Sequence, residues 1–273
     1  MITFHKAKIN LGLNIVSRRP DGYHNIETVF YPIPLTDSLE IVPAEGSEST
    51  LTCYGRVVDC PTEKNLVMKA YRMMEKEFGL PPVDIYLVKH IPDGAGLGGG
   101  SSDASFCMKM LNDMFKLGCT AEQLAKMASK IGADCPFFIH NKPMMATGIG
   151  DEFTPTDVCL KGKHMLLVKP DVSVPTKAAY AQVTPAPSAK PIPEILSDGM
   201  ENWQKELVND FEKSVFAQYP SLAEIKRTLL ESGASYAAMS GSGSSIFGIF
   251  SCAEMAEKAA DHFKEYSHFV IQL

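Results

Sequence analysis

The chain has 273 residues, 45% of them hydrophobic, with a formal net charge of -6 and a mean hydropathy of -0.04. That length suits one large domain or two ordinary ones, and the composition is that of a soluble globular protein. The acidic excess argues against a nucleic-acid binder, which would carry a basic face, and no apolar run nears the ~20 residues of a membrane helix.

The seven cysteines are scattered and odd in number, and none forms a C-x-x-C pair. Cys53 and Cys60 stand closest, without a matching second pair or a spaced histidine pair, so no metal site is expected. Such usage suits reduced thiols. The first residues contain no apolar signal segment, and a cytoplasmic location is expected.

Residues 2–4 and 9–16 read as two strands. In the second, Ile9, Leu11, Leu13 and Ile15 alternate with Asn10, Gly12 and Asn14, a period of two. Lys8 and Asn10 fall on the other face, which is either solvent or a functional surface. Pro20, Asp21 and Gly22 signal a turn. Tyr23 and His24 follow it, where the loop meets a strand at 26–31. They either hold a flat ring by stacking and hydrogen bonding or pack the loop. Residues 32–37 read as a turn into a strand at 38–42, and 51–54 as another strand. Residues 65–78 form a helix with Leu66, Val67, Ala70, Met73, Met74 and Phe78 on its apolar stripe.

A strand at 83–89 leads into the most informative stretch, 92–105. Five glycines (Gly94, Gly96, Gly98, Gly99 and Gly100) fall within seven residues, with Ala95 and Leu97 between them. Pro92 precedes the run. Ser101 and Ser102 follow it, and Ala104, Cys107, Met108, Leu111 and Phe115 then recur at helical spacing. Glycines allow close approach of a ligand to the backbone. A helix start behind them offers unpaired N–H groups and a positive dipole end. The usual anion for such a loop is a phosphate. G-x-x-x-x-G-K-[ST] is absent, which excludes a P-loop of that type. Gly94, Gly96 and Gly99 fit G-x-G-x-x-G, but a second helix follows at 118–130, with Thr120 and Gln123 as its capping box. A dinucleotide fold needs a strand there.

Asp134 stands among Ala133, Cys135, Pro136, Phe137 and Phe138. A carboxylate in apolar company is either a cap or turn residue or a group for proton handling. Residues 144–147 read as a strand, 148–152 as a turn and 165–169 as a buried strand. The proline-rich stretch 184–193 reads as an exposed loop or flap. A helix at 222–231, strands at 234–239 and 246–250 around a Gly-Ser run at 240–245, a helix at 253–266 and a strand at 268–272 complete the chain. This β-α-β-β-α-β order suits a ferredoxin-like layer, and the class is α+β.

Lys8-Ile-Asn-Leu, the glycine run with its two serines, and Met239-Ser-Gly-Ser-Gly-Ser, in that order, resemble the superfamily of galactokinase, homoserine kinase, mevalonate kinase and phosphomevalonate kinase (GHMP kinases). Asp21-Gly-Tyr-His and Gly132-Ala-Asp-Cys-Pro-Phe-Phe are similar to its branch acting on 4-diphosphocytidyl-2-C-methyl-D-erythritol. The resemblance implies a two-domain fold. Residues 1–160 would form a ribosomal-protein-S5-domain-2-like ATP-binding domain, and 161–273 a ferredoxin-like domain. It implies transfer of phosphate from ATP, with Mg²⁺, to a 2-hydroxyl, in non-mevalonate isoprenoid precursor synthesis. Asp134 would be the catalytic base and Lys8 its charge partner. ATP would meet Asn65, Leu66, Lys89, Pro92, Gly94, Ala95, Gly96, Leu97, Gly98, Gly99, Gly100, Ser101 and Ser102. The substrate, which carries a cytidine diphosphate group, would meet Asn10, Tyr23, His24, Asp134, Tyr180, Gly241 and Ser242. A monomer or homodimer is expected, with no nucleic-acid or membrane partner. The main alternative is a sister kinase for another small alcohol such as mevalonate or homoserine.

Overall fold

The computed structural model describes residues 1–273. By contact the chain divides into two units that do not follow chain order. The first comprises Met1–Ala7, Leu35–Asp93 and Gly98–Lys142, and the second Lys8–Pro34, Gly94–Leu97 and Pro143–Leu273.

The first unit holds the start of β1 (Ile2–Arg18), the end of β2 (His24–Pro43), β3 (Thr50–Gly55), α1 (Leu66–Phe78), β4 (Val83–Lys89), α2 (Gly99–Met114), α3 (Ala121–Ala128) and α4 (Cys135–His140). β4 lies between β2, antiparallel to it, and β3, parallel to it. The core joins Leu39, Ile41, Ile85 and Leu87 from the strands to Val67, Tyr71 and Met74 of α1 and Cys107, Met108 and Leu111 of α2. Burying each large side chain contributes about 1.5–3 kcal/mol. The capping box of α3 forms as its sequence predicts, Gln123 N–H donating to Thr120 Oγ1 and Thr120 N–H to Gln123 Oε1.

Two expectations for this region change. Residues 2–18 form one strand instead of two, because the alternation of His5, Ala7 and Ile9 runs on unbroken, all three buried. β2 likewise passes through the expected turn at 32–37. Pro32 and Pro34 fall between the residues that pair with β4, 38–43, and those that pair with Met144–Thr147, at 28–30. Their missing N–H groups therefore cost neither ladder a bond.

The second unit adds β5 (Met144–Thr147), β6 (Glu152–Pro155), β7 (His164–Lys169), α5 (Thr176–Ala181), α6 (Ile192–Ser197), α7 (Met200–Glu206), α8 (Phe211–Gln218), α9 (Pro220–Glu231), β8 (Tyr236–Met239), β9 (Ile246–Phe250), α10 (Ala253–Ala260) and β10 (Ser267–Gln272). Its four-stranded sheet runs β10-β7-β9-β8 with every pairing antiparallel. That is the ferredoxin-like order anticipated above. The last helix ends at Ala260 and a 3-10 turn, Asp261–Phe263, carries the chain on.

Residues 184–191 form the expected loop, and from Ile192 the chain is helical and packed. Ile192, Ile195, Trp203 and Leu207 are buried, and a Cβ on Gly12 would lie 2.6 Å from Leu207 Cδ1 and 3.2 Å from Ile192 Cδ1. Glycine at position 12, with φ 67°, lets α6 and the end of α7 seat on β1. Asn209 follows. Its Nδ2 donates to the carbonyls of Met239 and Gly241, both at 2.8 Å, and its Oδ1 accepts from Phe211 N–H at 3.0 Å. The side chain thereby pins the start of the Gly-Ser run. Asn209→Ala strands these buried groups and is expected to cost at least about 2 kcal/mol in urea unfolding. A loss within error of zero would contradict this role.

Candidate active site

In the second unit, one carbonyl gathers two donors. Lys8 Nζ donates to Gly96 O at 3.0 Å and Ser240 Oγ to the same oxygen at 2.8 Å. Lys8 Nζ also donates to Asn10 Oδ1 at 2.8 Å and lies 4.7 Å from the centre of the Phe30 ring. Lys8 and Asn10 are 4% and 2% exposed, so the second face of β1 is not solvent. The two glycine runs touch here. A Cβ on Gly96, at φ 74°, would lie 2.0 Å from Ser240 O, and one on Gly241 would lie 3.4 Å from Asn10 Oδ1. Ala95 O accepts from Ser245 N–H at 3.2 Å. Lys8, Asn10, Gly94, Ala95, Gly96, Leu97, Gly241 and Ser242 thus share one unit, with Ser242 Oγ 3.1 Å from Thr176 Oγ1.

The same unit brings together residues with ring chemistry. The His24 ring stacks on Tyr180 at 5.0 Å with an interplanar angle of 19°. Tyr180 meets Phe211 edge-on at 4.8 Å. Tyr23 is 61% exposed, and its N–H donates to Asp21 Oδ1 in the turn. Exposed aromatic surface next to an imidazole suits a planar heterocycle.

In the first unit, Gly98 is the N-cap of α2, at φ 70°, and no side chain caps the helix. Its first turn also lacks an acidic residue. The N–H groups of Gly99, Gly100 and Ser101 are therefore left for an anion. Ser102 Oγ donates to Lys6 O at 2.8 Å. Asn65 accepts from Val67 N–H at 2.9 Å as the N-cap of α1. A Cβ on Gly100 would lie 3.6 Å from Leu66 Cδ1, so Leu66 borders the helix start. Pro92 is buried just before the loop. Asp134 stands at the N-cap position of α4 but makes no capping hydrogen bond there. Ser105 Oγ donates to Ser101 O and Cys135 O, both at 2.7 Å, which fixes the residue after Asp134 to α2.

Lys89 is engaged within the protein. Its Nζ donates to Asp37 Oδ2 and, at 2.7 Å, to Asp103 Oδ2, with all three side chains at most 5% exposed. His5 Nε2 donates to Asp103 Oδ1 at 2.6 Å, and Asp37 Oδ1 accepts the N–H groups of His90 and Ile91. Donor atoms of His5, Asp37 and Asp103 lie within 4.8 Å of one another, the spacing of a metal cluster. The Lys89 ammonium already occupies the space between both carboxylates and bonds to each, so the set does not fit a second cation. Burial pushes Asp103 upward, but the His5 hydrogen bond and the Lys89 charge outweigh it and hold the carboxyl below its ordinary range. Burial and the Asp103 charge hold Asp37 above its own.

The sequence matches GHMP kinases N terminal domain over residues 65–142 and GHMP kinases C terminal over 189–268. It is 55% identical over 260 residues to the 4-diphosphocytidyl-2-C-methyl-D-erythritol kinase of Bacteroides fragilis, covering 94% of this chain and 95% of that one. The Parabacteroides distasonis enzyme of the same name is 54% identical, with 98% and 96% covered. The chain belongs to the 4-diphosphocytidyl-2-C-methyl-D-erythritol kinase family of the GHMP kinases. The solved structure of a 4-(cytidine 5'-diphospho)-2C-methyl-D-erythritol kinase superposes with a TM-score of 0.85 at 31% identity, covering 99% and 98% of the two chains. A mevalonate kinase from Methanococcus jannaschii, 15% identical over 100% and 98%, shares the fold with a TM-score of 0.75. As a family member the protein is an ATP-dependent kinase with the α+β GHMP fold. No helix is long and apolar enough to cross a membrane.

The kinase also buries His5, Asp37 and Asp103, none of which the sequence analysis placed in a site. For His5 and Asp37 the signal was available in the strand alternation. Burial alone would lower the Lys89 pKa, but the two carboxylates outweigh it and raise it above the ordinary 10.5. Its contribution to stability is therefore intact below 10.5 and lost as the pH rises through the folded value. Lys89→Met leaves two buried carboxylates without their cation and is expected to cost about 3–5 kcal/mol at neutral pH. In urea unfolding the gap from wild type should narrow above pH 10.5; a gap constant through that window would contradict the assignment.

Proposed function

We infer that the protein transfers the γ-phosphoryl group of ATP to the 2-hydroxyl of 4-diphosphocytidyl-2-C-methyl-D-erythritol, a step toward isoprenoid precursors outside the mevalonate route. The observation that carries this reading is the full-length likeness to kinases of that substrate. The stack of His24 on Tyr180, next in sequence to exposed Tyr23, supports the cytidyl part.

In this reading the N–H groups at 94–102 receive the triphosphate, and Asn65 and Leu66 border the adenine. Tyr23 stacks on cytosine, His24 hydrogen-bonds it, and Tyr180 forms the other aromatic wall. Asn10, Gly241 and Ser242 lie toward the reacting end. Asp134 takes the proton from the 2-hydroxyl as that oxygen attacks the γ-phosphorus, and ADP leaves. Lys8, its charge partner in this reading, steadies charge on the transferring phosphoryl group. Its ammonium is already oriented by Asn10 and the Gly96 carbonyl, so little reorganisation accompanies the reaction. Mg²⁺ bound with ATP would offset the negative charge of the phosphates. The enzyme acts in the cytoplasm as a monomer or homodimer, with a small molecule as its partner.

Asp134→Asn should lower kcat by about 10²–10⁴-fold, the range of a lost general base, with little change in either KM. Tyr23→Ala should raise KM for the cytidyl substrate about tenfold, as expected for one lost stacking contact, while KM for ATP stays at its wild-type value. Equal effects of Tyr23→Ala on both substrates would overturn the cytosine assignment. Full turnover by Asp134→Asn would remove the base.

A further inference from the structure

The cluster of His5, Asp37, Lys89 and Asp103 is unusual for a buried site. It places two carboxylates, an ammonium and an imidazole on four elements of one unit, all at most 5% exposed. A core needs no such set, and taking one partner away leaves an uncompensated buried charge. Its members sit at particular points along the chain. Lys89 ends β4, and the next two N–H groups, of His90 and Ile91, are both held by Asp37 Oδ1. Asp103 lies in the second turn of α2, four residues after Gly99. A Cβ on Gly99 would lie 3.0 Å from Ile91 Cγ2 and 3.3 Å from Lys89 Nζ. The strand end that enters the glycine loop and the helix start that leaves it therefore share one ammonium.

We propose that Lys89, clamped by Asp37 and Asp103, is a positioning residue that sets the two ends of the triphosphate loop instead of touching the nucleotide itself. The proposal rests on the reading of 94–102 as the triphosphate site. Asp37 has two jobs. Through Oδ2 it binds Lys89, and through Oδ1 it fixes the backbone from which the loop departs. Asp103 ties the same ammonium to the first turns of α2, which has no side-chain cap. His5 completes the set. Its Nδ1 is buried without a partner, so Nε2 carries the hydrogen and donates to Asp103 Oδ1, while the ring stacks on Phe106 at 5.3 Å. The imidazole thereby fixes which Asp103 oxygen is left for Lys89. A shift of the loop by a fraction of an ångström changes ATP binding and phosphoryl alignment, and displacements of about 1 Å can cost about a hundredfold.

The test uses the full chain and four variants, Lys89→Met, Asp37→Asn, Asp103→Asn and the double variant Lys89→Met/Asp103→Asn. Steady-state kinetics with ATP-Mg²⁺ and the cytidyl substrate are read beside hydrogen exchange of peptides spanning 90–103. Each single change should raise KM for ATP about tenfold or more by the cost of misplacement, with KM for the alcohol unchanged. The double variant should be no worse than the worse single, because coupled groups lose one shared function. Asp37→Asn should speed exchange at His90 and Ile91. If Lys89→Met alone weakens ATP, or if the two effects multiply in the double variant, Lys89 contacts ATP on its own and the proposal fails. If circular dichroism shows that these variants do not fold, His5→Phe and His5→Gln take their place. Phe should raise KM for ATP and Gln, which keeps a donor, should restore it; equal values would overturn the proposal. Absence of ATP-dependent protection at 94–102 in the wild type would overturn the triphosphate reading and the proposal with it. Protection that persists unchanged in Asp103→Asn would overturn the proposal alone.

Discussion

A buried ammonium between two buried carboxylates governs the first unit. Lys89 cannot be deprived of Asp37 or Asp103 without leaving charge in a water-poor interior, and that penalty locks the ends of β2, β4 and the start of α2 into one arrangement. The surrounding apolar core, from Leu39 and Ile85 to Cys107 and Leu111, supplies the bulk of the stability but is tolerant of rearrangement. Charge pairing is not tolerant, and this specificity matters where a chain must leave a strand, pass through a run of glycines and re-enter a helix.

The second unit solves a related problem with hydrogen bonds. Gly96 O takes one bond from Lys8 and one from Ser240, and Asn209 holds Met239 and Gly241 from the other side. Glycine is required at 96 because a Cβ would collide with the Ser240 carbonyl. The two flexible runs are thereby rigid in place, each serving as the other's wall. A glycine-rich segment with its amides pre-aimed costs little reorganisation when an anion arrives, which is the condition for electrostatic stabilisation of phosphoryl transfer.

Much of this was legible in the sequence. The strand at 83–89, the α3 capping box and the ferredoxin-like order followed from periodicity and cap residues. β2 was read as broken because proline normally interrupts a ladder; here Pro32 and Pro34 sit between two pairings. β1 was read as two strands, at 2–4 and 9–16, although His5, Lys6 and Lys8 between them belong to one unbroken strand. The helices at 192–206 were missed because the proline-rich stretch 184–193 runs up to their start, although Ile192 and Ile195 already carried a helical spacing. The buried charge cluster was overlooked for a different reason. His5 shares its parity with Ala7, Ile9 and Leu11, Asp37 with Leu35, Leu39 and Ile41, and Lys89 with Val83, Ile85 and Leu87. Each charged residue therefore occupies the apolar face of its strand. Alternation alone places three polar groups in the core, and only their mutual pairing, which is a three-dimensional property, explains why the chain keeps them. Lys8 and Asn10 posed the reverse problem. Their face of β1 was polar enough to pass for a solvent face, and its burial comes from the glycine loops, which no periodicity encodes.

In the proposed reaction one glycine loop serves ATP while Tyr23, His24 and Tyr180 select a cytidyl alcohol. ADP release by the purified protein, measured in parallel with 4-diphosphocytidyl-2-C-methyl-D-erythritol, mevalonate, homoserine and galactose, tests it most directly. Release with the cytidyl alcohol and none of the others is the predicted result. Comparable release with an alcohol lacking cytosine would contradict it.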